Sequence, residues 1–516
     1  MKSSTIAADL GFVHRPDTVL VKSGKLVLYA VANAVYNVYL HPLRRYPGPK
    51  AWAASRLPWF YNTTSGQIHT RLTALHKQYG PVVRIAPNEL SYTEPAAWRQ
   101  IYGHRSVEMP KDLDGAGIMP SFNGAYSIIN APHDHHLRLR RAIAPAFSEK
   151  ALREQESMLQ TYVDLLVSRL KETCKRGPQD LVSWYNFATF DMMGDMAFGE
   201  PFGCLRDGQN HAWVNLIFSS VKSYPWYQVF LYYGIMSIAA FFTPKKLADA
   251  KRDADANAHT KVDRRMAMKA LARKDFMSYI LPEENDRQGM EVSLDEIKET
   301  AAILIIAGSE TSATLLSGVT YYMLTHPRIY ERAVKEVRGA FQTYADISMI
   351  KTGALKYIPA IVQEAFRMYP PAPVTFPRKV PGAGEEVLGR WVPGGTTVGV
   401  PQYAAYRSSS NFYRPDDFLP ERWLSAADCV DGDLPAELFA NDQAQVLQPF
   451  SFGPRNCIGK ALAYVEIRLI LAKMLWSFDM SLTPQQARTP WDDQGTYMMW
   501  EKHPLMVNLQ VVQRGS

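Results

Sequence analysis

The residues best suited to chemistry lie near the end of the chain, in the stretch FSFGPRNCIGKA at 450–461. Cys457 stands just before a helix-like pattern, and the dipole and free N–H groups of a helix N-terminus stabilise a thiolate. Gly453 and Gly459 allow tight turns and the close approach of a flat ligand, while Arg455 can meet an acidic group on that ligand. A lone thiolate with no second cysteine or histidine beside it suits an axial bond to an iron that a macrocycle already holds.

The other cysteines show no comparable pattern. The chain has four cysteines in 516 residues, and Cys174, Cys204 and Cys429 form no C-x-x-C pair that would indicate zinc binding or redox exchange. So low a density in so long a chain argues against a disulfide framework and favours a reducing compartment. We interpret these three residues as structural thiols.

A second candidate site lies inside a long apolar segment, Ser293–Pro327. It opens with the S-x-x-E spacing of a capping box and ends at a proline, so it predicts one buried helix of about 48 Å. Its centre carries Gly308, and a glycine followed by hydroxyl residues is a common cause of a local kink. Glu310 and Thr311 beside such a gap could relay protons. The alternative is a glycine that permits close helix packing and a threonine bonded to its own helix.

A buried acid–base pair is predicted in the apolar helix KYIPAIVQEAFRMYP. Glu364 and Arg367 stand at i and i+3, so they share one face of that helix. A buried pair needs further hydrogen bonds to offset desolvation, and one carboxylate cannot use all five donors of an arginine. A third polar partner is therefore expected, and the segment FLPERW offers Arg422.

Together these segments resemble the cytochrome P450 superfamily over residues 40–510. The haem-binding signature F-x-x-G-x-R-x-C-x-G is matched position for position at 450–459. Three further family motifs, A-G-x-E-T, E-x-x-R and F-x-P-E-R, occur in the expected order at 307–311, 364–367 and 418–422. The segments VYLHPLRRYPGPK and RIAPNELSY are similar to those of membrane-anchored fungal enzymes of secondary metabolism.

The resemblance implies a haem b cofactor, iron protoporphyrin IX, with Cys457 as the axial ligand of the iron. The signature residues implied to shape the surface around the cofactor are Phe450, Gly453, Arg455 and Gly459. The residues implied to meet the haem propionates, besides Arg455, are Arg378, Arg140 and His136, the last standing where the family often has tryptophan. The residues implied to form the structural triad are Glu364, Arg367 and Arg422.

On the opposite side of the cofactor, the resemblance implies that Thr311 and Glu310 deliver the protons that release one oxygen atom of O2 as water. It further implies hydroxylation or epoxidation of an apolar secondary metabolite, terpenoid, polyketide or alkaloid-like, in a fungal pathway. The alternative is a haem-thiolate isomerase or dehydratase, or a ring-forming oxidase, without net oxygen insertion. The segments expected to line the substrate pocket are 110–130, 212–243, 302–311, 371–377 and 496–500.

A separate protein is expected to supply the electrons. Too few residues follow Cys457 for a fused flavin domain, so an external NADPH-cytochrome P450 reductase is implied. Lys460, Arg138 and Arg141 could meet the acidic surface of such a partner. The formal net charge of +7 is a mild excess without a block of like charge, which argues against nucleic-acid binding and is compatible with a membrane surface.

Patterning along the chain predicts a mainly α protein with a minor β part. Strands are expected within 79–92 and 374–400, and helices over most of 136–345. The resemblance implies that these elements form the cytochrome P450 fold as a single large catalytic domain.

The predicted organisation begins with an N-terminal tail at 1–25 and a membrane-anchor candidate at 26–45. A Pro/Gly elbow at 46–50 leads into a haem-thiolate catalytic domain at 51–516. The apolar run within the anchor candidate is shorter than the about 20 residues of a spanning helix, and an amphipathic surface helix is the alternative. The resemblance favours an anchor in the endoplasmic-reticulum membrane, with the catalytic domain facing the cytosol.

Overall fold

The computed structural model describes residues 16–113, 124–212, 214–215, 221–236, 260–261, 263–265, 275–280 and 292–513. Parts of two expected pocket segments, 110–130 and 212–243, lie outside the described residues. The architecture is mainly helical with a minor sheet component, as the sequence predicts.

Helices dominate the described chain and follow the apolar patterns of the sequence. Numbered in chain order, they are α1 Pro16–Tyr39, α2 Lys50–Ala54, α3 Leu57–Thr64, α4 Ile68–Tyr79, α5 Pro95–Tyr102, α6 His133–Ile143, α7 Glu149–Thr173, α8 Leu181–Phe198, α9 Cys204–Asp207, α10 Tyr224–Tyr232, α11 Phe276–Ile280, α12 Leu294–Leu324, α13 Pro327–Ala340, α14 Met349–Thr352, α15 Tyr357–Met368, α16 Gln402–Tyr406 and α17 Lys460–Ser477.

The strands are short and form small sheets. In chain order they are β1 Val82–Ala86, β2 Glu89–Tyr92, β3 Gln179–Asp180, β4 Arg378–Lys379, β5 Gly384–Val387, β6 Arg390–Pro393, β7 Thr397–Gly399, β8 Phe478–Leu482 and β9 Met506–Val511. The sheet orders are β1-β2-β7-β4, β3-β9-β8 and β5-β6, and the β2–β7 pair is parallel while the others are antiparallel. The strands expected within 79–92 and 374–400 are therefore confirmed.

Helix α12 crosses the core and packs along α8. Its N-terminus has the expected capping box, because Ser293 Oγ accepts from the Glu296 N–H at 3.2 Å and Glu296 Oε2 accepts from the Ser293 N–H at 2.9 Å. Helix α12 is continuous from Leu294 to Leu324, through Gly308. A Cβ on Gly308 would lie 2.6 Å from Met193 Cε, so this glycine serves the close packing of α12 on α8.

Helix α1 begins at Pro16, ahead of the anchor boundary predicted at residue 26. Its C-terminal end is fixed to the rest of the protein, because Asn37 Nδ2 donates to the Ala54 carbonyl at 3.0 Å and the Asn37 carbonyl accepts from Arg84 at 2.9 Å. The exposed large apolar side chains of this helix are Val27, Leu28, Tyr29, Val31, Val35, Tyr36 and Tyr39. Within the described ranges, the one helix that is long and apolar enough to cross a bilayer is α12, which is mostly buried.

Candidate active site

The loop that holds the cysteine folds back on itself before α17 begins at Lys460. The Cys457 N–H donates to the Phe450 carbonyl at 2.8 Å and thereby closes the loop. Gly453 has a φ of +75°, and a Cβ there would overlap the carbonyl oxygen of Tyr102 at the end of α5. Glycine is therefore required at this position both by the backbone conformation and by the neighbouring helix.

The Cys457 thiol lies where the chain leaves space beside it. Its side chain is exposed, yet protein surrounds it closely enough that desolvation raises the pKa of the thiol. The Gly459 N–H, Arg140 and Lys460 act in the opposite direction and favour the thiolate. A Cβ built on Gly459 would meet Cys457 Sγ and Phe147 at 3.9 Å, which is ordinary contact. No close packing within the described chain therefore demands this glycine, and the space can admit a flat group.

Phe450 covers one side of the loop as a half-buried aromatic ring. Its centroid lies 5.2 Å from those of Phe366 in α15 and Tyr464 in α17. Lys460 Nζ lies 5.9 Å from the same ring. Phe450 thus links the cysteine loop to both helices and shields the loop from one direction.

The two arginines expected at the propionates, Arg455 and Arg378, converge on one acid. Arg455 forms an ion pair with Glu108 and donates to the Ala131 carbonyl at 2.8 Å. Arg378 Nη1 lies 3.4 Å from Oε1 of the same Glu108 carboxylate. The buried Nε of Arg378 has no hydrogen-bond partner among the described residues. An orphaned buried donor costs free energy, so this cluster fits a ligand that brings acceptor oxygens.

The two residues expected from α6, Arg140 and His136, lie beside this cluster but make different contacts. Arg140 donates to the Asn456 carbonyl at 2.6 Å and to its Oδ1 at 2.5 Å, so it holds the residue that precedes the cysteine. His136 is buried, and its burial, followed by the charges of Arg455 and Lys111, lowers its pKa to about 3. The imidazole is therefore neutral at physiological pH.

Lys111 and Glu108 belong to the same cluster, although no sequence motif pointed to them. Burial, followed by the nearby Arg378 and Arg455, lowers the pKa of Lys111 to about 7. Burial alone would raise the pKa of Glu108, but the contacts with His133, Arg455 and Arg378 hold it below its usual range. Several cationic groups thus surround one carboxylate, and that surplus of positive charge suits a cofactor that carries its own carboxylates.

Glu364 in α15 is surrounded by hydrogen-bond donors. Arg367 donates to both carboxylate oxygens at 3.0 and 2.7 Å, and Arg422 Nε donates to Oε1 at 3.2 Å. The Trp423 indole at 2.8 Å and the Leu419 N–H at 2.9 Å add two donors that the sequence did not predict. Burial alone would raise the pKa of Glu364, but Arg367 and then Arg422 hold it below its usual range. The structure thus brings the three triad residues together.

Thr311 and Glu310 are neighbours in α12 but face different surroundings. The Thr311 hydroxyl donates to the Ala307 carbonyl at 2.6 Å, as the packing alternative for this segment anticipated. Glu310 is buried, and its Oε1 accepts from Lys502 Nζ at 2.6 Å, a contact that the sequence did not predict. Successive helical residues project about 100° apart. No hydrogen bond joins the two side chains, so the structure does not pair them directly.

Comparison with known proteins identifies the family. The Cytochrome P450 family model matches residues 47–509. Cytochrome P450 monooxygenase alt3 of Alternaria solani is 45% identical over 94% of this chain and 92% of its own length. Averantin hydroxylase of Dothistroma septosporum is 43% identical over 95% of this chain and 91% of its own length. Cytochrome P450 monooxygenase stcF of Emericella nidulans is 42% identical over 94% of this chain and 98% of its own length.

Membership of this family defines the class of chemistry. Cytochromes P450 carry haem iron, act on an organic substrate with O2 and receive electrons from a redox partner. The three similar fungal proteins are named as monooxygenases and hydroxylases, and none of the three is named as an isomerase or dehydratase. The chain therefore belongs to the cytochrome P450 family and is a monooxygenase.

Proposed function

We propose that this monooxygenase hydroxylates or epoxidises an apolar secondary metabolite of a fungal pathway, and that compounds like averantin are the first candidates. The observation that carries the proposal is the open Cys457 loop beside a surplus of buried cations. It occurs in a chain that is 42–43% identical to averantin hydroxylases of two fungi. Terpenoid and alkaloid-like scaffolds remain alternatives for a substrate screen.

The cofactor in this proposal is haem b, and its binding residues are those of the cysteine loop and the cationic cluster. Cys457 would bind the haem iron through its thiolate sulfur. Gly459 would allow close approach of the ring, and Gly453 sets the turn. When bound, haem supplies the activation of O2. Phe450 shields the loop from one direction.

The cationic cluster holds the carboxylates of the cofactor in this proposal. Arg378 offers its unused Nε, Arg455 and Lys111 add charge, and His136 adds a neutral imidazole. Arg140 does not bind these carboxylates itself. Its two hydrogen bonds to Asn456 hold the residue that precedes Cys457 in place. Support comes from the burial of these groups. It also comes from the number of cationic groups in the cluster, which exceeds the one carboxylate described there, Glu108.

Thr311 and Glu310 supply protons during O2 activation in this proposal. Thr311 is half-buried, and rotation of its hydroxyl away from the Ala307 carbonyl would free the O–H for donation. Glu310 is a buried acid one residue away, and its Oε2 carries no hydrogen bond within the described structure. A carboxyl group with an unused oxygen can accept a proton at that oxygen and return it.

Electrons from NADPH reach the haem through a separate NADPH-cytochrome P450 reductase in this proposal. Lys460 and Arg141 are exposed on α17 and α6, and Lys460 is three residues from the cysteine. Arg138 is less available, because it donates to Glu296 at 3.0 Å. A surface with free cations near the thiolate would suit an acidic partner.

The protein lies at the endoplasmic-reticulum membrane in this proposal, with the catalytic domain facing the cytosol. Support comes from the exposed apolar side chains of α1 and from exposed Leu57, Tyr61 and Trp226 on α3 and α10. These two helices adjoin each other, since the Phe60 and Tyr232 rings lie 5.4 Å apart. Full-length protein should sediment with membranes and stay there in high salt, whereas a variant that lacks 1–45 should be released more easily.

A reconstitution experiment tests the proposed function. The protein, haem, a fungal P450 reductase and NADPH are incubated with averantin-like, terpenoid and alkaloid-like compounds under isotopically heavy O2. We expect one heavy oxygen atom in the product of at least one compound and none without NADPH. Cys457→Ala should abolish both this product and the red-shifted Soret band of the reduced carbon monoxide complex. Product that forms equally well without NADPH would contradict the proposal.

A further inference from the structure

The segment that precedes β9 folds into a short hairpin over residues 495–501. Thr496 and Trp500 form an antiparallel bridge across it. Met498 stands at the tip, with a φ of +83° and a side chain that is 38% exposed. A residue other than glycine adopts such a backbone conformation at a cost in free energy, and the conformation persists where surrounding contacts impose it. The contacts that hold the hairpin therefore decide where the Met498 side chain projects.

The base of the hairpin lies beside two segments that are expected to line the substrate pocket. Trp500 stacks on Tyr369 with ring centroids 4.4 Å apart, and its indole N–H donates to the Pro370 carbonyl at 2.7 Å. Pro370 directly precedes the expected pocket segment 371–377. Two residues beyond Trp500, the side chain of Lys502 contacts Glu310 in the expected pocket segment of α12 at 2.6 Å. Under the proposed function, the hairpin is therefore part of the pocket wall.

Helix α4 and the turn before it hold the hairpin in place. The Gly66 carbonyl accepts from the Thr496 N–H at 2.9 Å, and Thr496 Oγ1 lies 2.9 Å from His69 Nδ1. The side chains of Thr496 and His69 are both buried. The His69 ring packs edge-on against those of Trp500 and Tyr403, each with its centroid 5.0 Å away. Burial lowers the pKa of His69 to about 4, so its contact with the hydroxyl is a hydrogen bond between neutral groups.

The polar side of His69 is directed at the hairpin. Its other ring nitrogen, Nε2, is buried without a hydrogen-bond partner among the described residues. A histidine that only filled space would be a costly choice, because an apolar ring packs there without an orphaned nitrogen. His76 on the same helix differs, since both of its nitrogens are used, by the Gly80 carbonyl at 2.9 Å and by Ser91 Oγ at 2.7 Å. His69 thus has a contact to make at Thr496 that packing alone does not require.

We propose that His69 is a positioning residue for the substrate. Through Thr496 it fixes the hairpin, and through the tip residue Met498 the hairpin sets the orientation in which the substrate is held. Loss of the contact should therefore change which position of the substrate is oxidised. The haem site should be unaffected, because none of these residues belongs to the cysteine loop or the cationic cluster. The inference rests on the proposed function, which places the hairpin in the pocket wall.

The first test needs no turnover and measures amide hydrogen exchange in the full-length, haem-loaded protein. His69→Phe keeps an aromatic ring and removes the hydrogen bond, whereas His69→Asn keeps an amide in the place of Nδ1. We expect the hairpin amides to exchange at least about tenfold faster in His69→Phe, because local opening is less costly, and at nearly the parental rate in His69→Asn. His76→Phe is the matched control, since it removes a buried histidine from the same helix without touching the hairpin. Unchanged hairpin exchange in His69→Phe, or an equal rise in His76→Phe, would overturn the inference.

The second test is the ratio of isomeric products formed from one compound at saturating concentration. We expect this ratio to change by at least about threefold in His69→Phe, because small displacements of a bound substrate alter which atom reacts. His69→Asn should restore most of the parental ratio, and His76→Phe should keep it. The carbon monoxide spectrum should be the same in all of these variants. A parental product ratio in folded His69→Phe would contradict the inference.

The third test shows whether His69 acts through Thr496. Thr496→Val removes the same hydrogen bond from the other side, so it should change hairpin exchange and product ratio as His69→Phe does. The double variant His69→Phe/Thr496→Val should show no more than either single change, and additive changes would overturn the inference. If His69→Phe does not fold, Thr496→Val and Thr496→Ser, which keeps the hydroxyl, decide by the same two measurements. Absence of any product from the parent enzyme would count against the proposed function, and hairpin exchange then decides the inference by itself.

Discussion

Glu364 and Glu310 are both buried glutamates on helices, but they differ in how completely their oxygens are used. Both oxygens of Glu364 accept hydrogen bonds, from two arginines, an indole and a backbone N–H. Glu310 has one engaged oxygen and one without a partner in the described part of the chain. The comparison separates a carboxylate whose two oxygens are both used from one that keeps an oxygen unused.

The physical basis of this difference lies in the cost of burying a charge. A carboxylate removed from water needs opposite charge and donors to remain ionised, and Glu364 has both. Its pKa stays below the usual range although burial acts to raise it, because Arg367 and Arg422 favour the ionised form. A fully satisfied network of this kind also fixes geometry, since each member holds another in place.

The largest effect is expected from Arg367→Met. The substitution removes two hydrogen bonds to Glu364 and leaves a buried carboxylate with fewer compensating charges. Breaking one side of a buried pair costs about 3–5 kcal/mol of stability. We expect little folded, haem-loaded protein, measured as Soret absorbance per mass of soluble protein. Wild-type haem content and Tm in this variant would show that the cluster does not stabilise the fold.

A smaller effect is expected from Trp423→Phe. The indole N–H donates to Glu364 Oε2 at 2.8 Å, and phenylalanine keeps an aromatic ring while removing this donor. The loss should cost about 1–3 kcal/mol, as for a hydrogen bond to a buried charged group. Thermal unfolding of the haem-loaded protein measures it. Because Arg367 and Arg422 remain, haem binding and the carbon monoxide spectrum should be retained, and loss of the thiolate spectrum would place Trp423 in a different role.

The sequence predicted those parts of the sites whose residues lie close together within one short segment of the chain. The cysteine loop is recognisable because glycines, an arginine and a thiol stand in fixed order before a helix. Glu364 and Arg367 follow from i, i+3 spacing, and the need for further donors led to Arg422. Trp423, next to Arg422, could have been found by the same reasoning, since a buried indole N–H also needs an acceptor.

The remaining parts depend on contacts between distant segments. Lys502 meets Glu310 across 192 positions of the chain, and no local pattern marks either residue as the partner of the other. Lys111 and Glu108 likewise belong to the site through their electrostatic interactions with Arg378 and Arg455, which come from other segments of the chain.

The packing alternative for Gly308 also involves a contact between distant segments. A single glycine costs a helix only about 1 kcal/mol. Met193 of α8 occupies the space that a side chain at Gly308 would need.

The smallest effect on stability is expected where both charges of the second pair are removed. Glu310→Gln/Lys502→Met leaves no unpaired buried charge, and replacement of a buried ion pair by groups of similar size is often nearly neutral. We expect a Tm that corresponds to a change within about 1 kcal/mol of the parent. The matched variant Glu364→Gln/Arg367→Met should lose more, because Arg422 then keeps only its ion pair with Asp442, and the donors of Trp423 and Leu419 face a neutral amide in place of a carboxylate. Equal losses of stability in the two double variants would show that the two glutamates do not differ in their contribution to the fold. A small loss in the first, accompanied by a rise in peroxide released per NADPH, would show that its pair serves the reaction more than the fold.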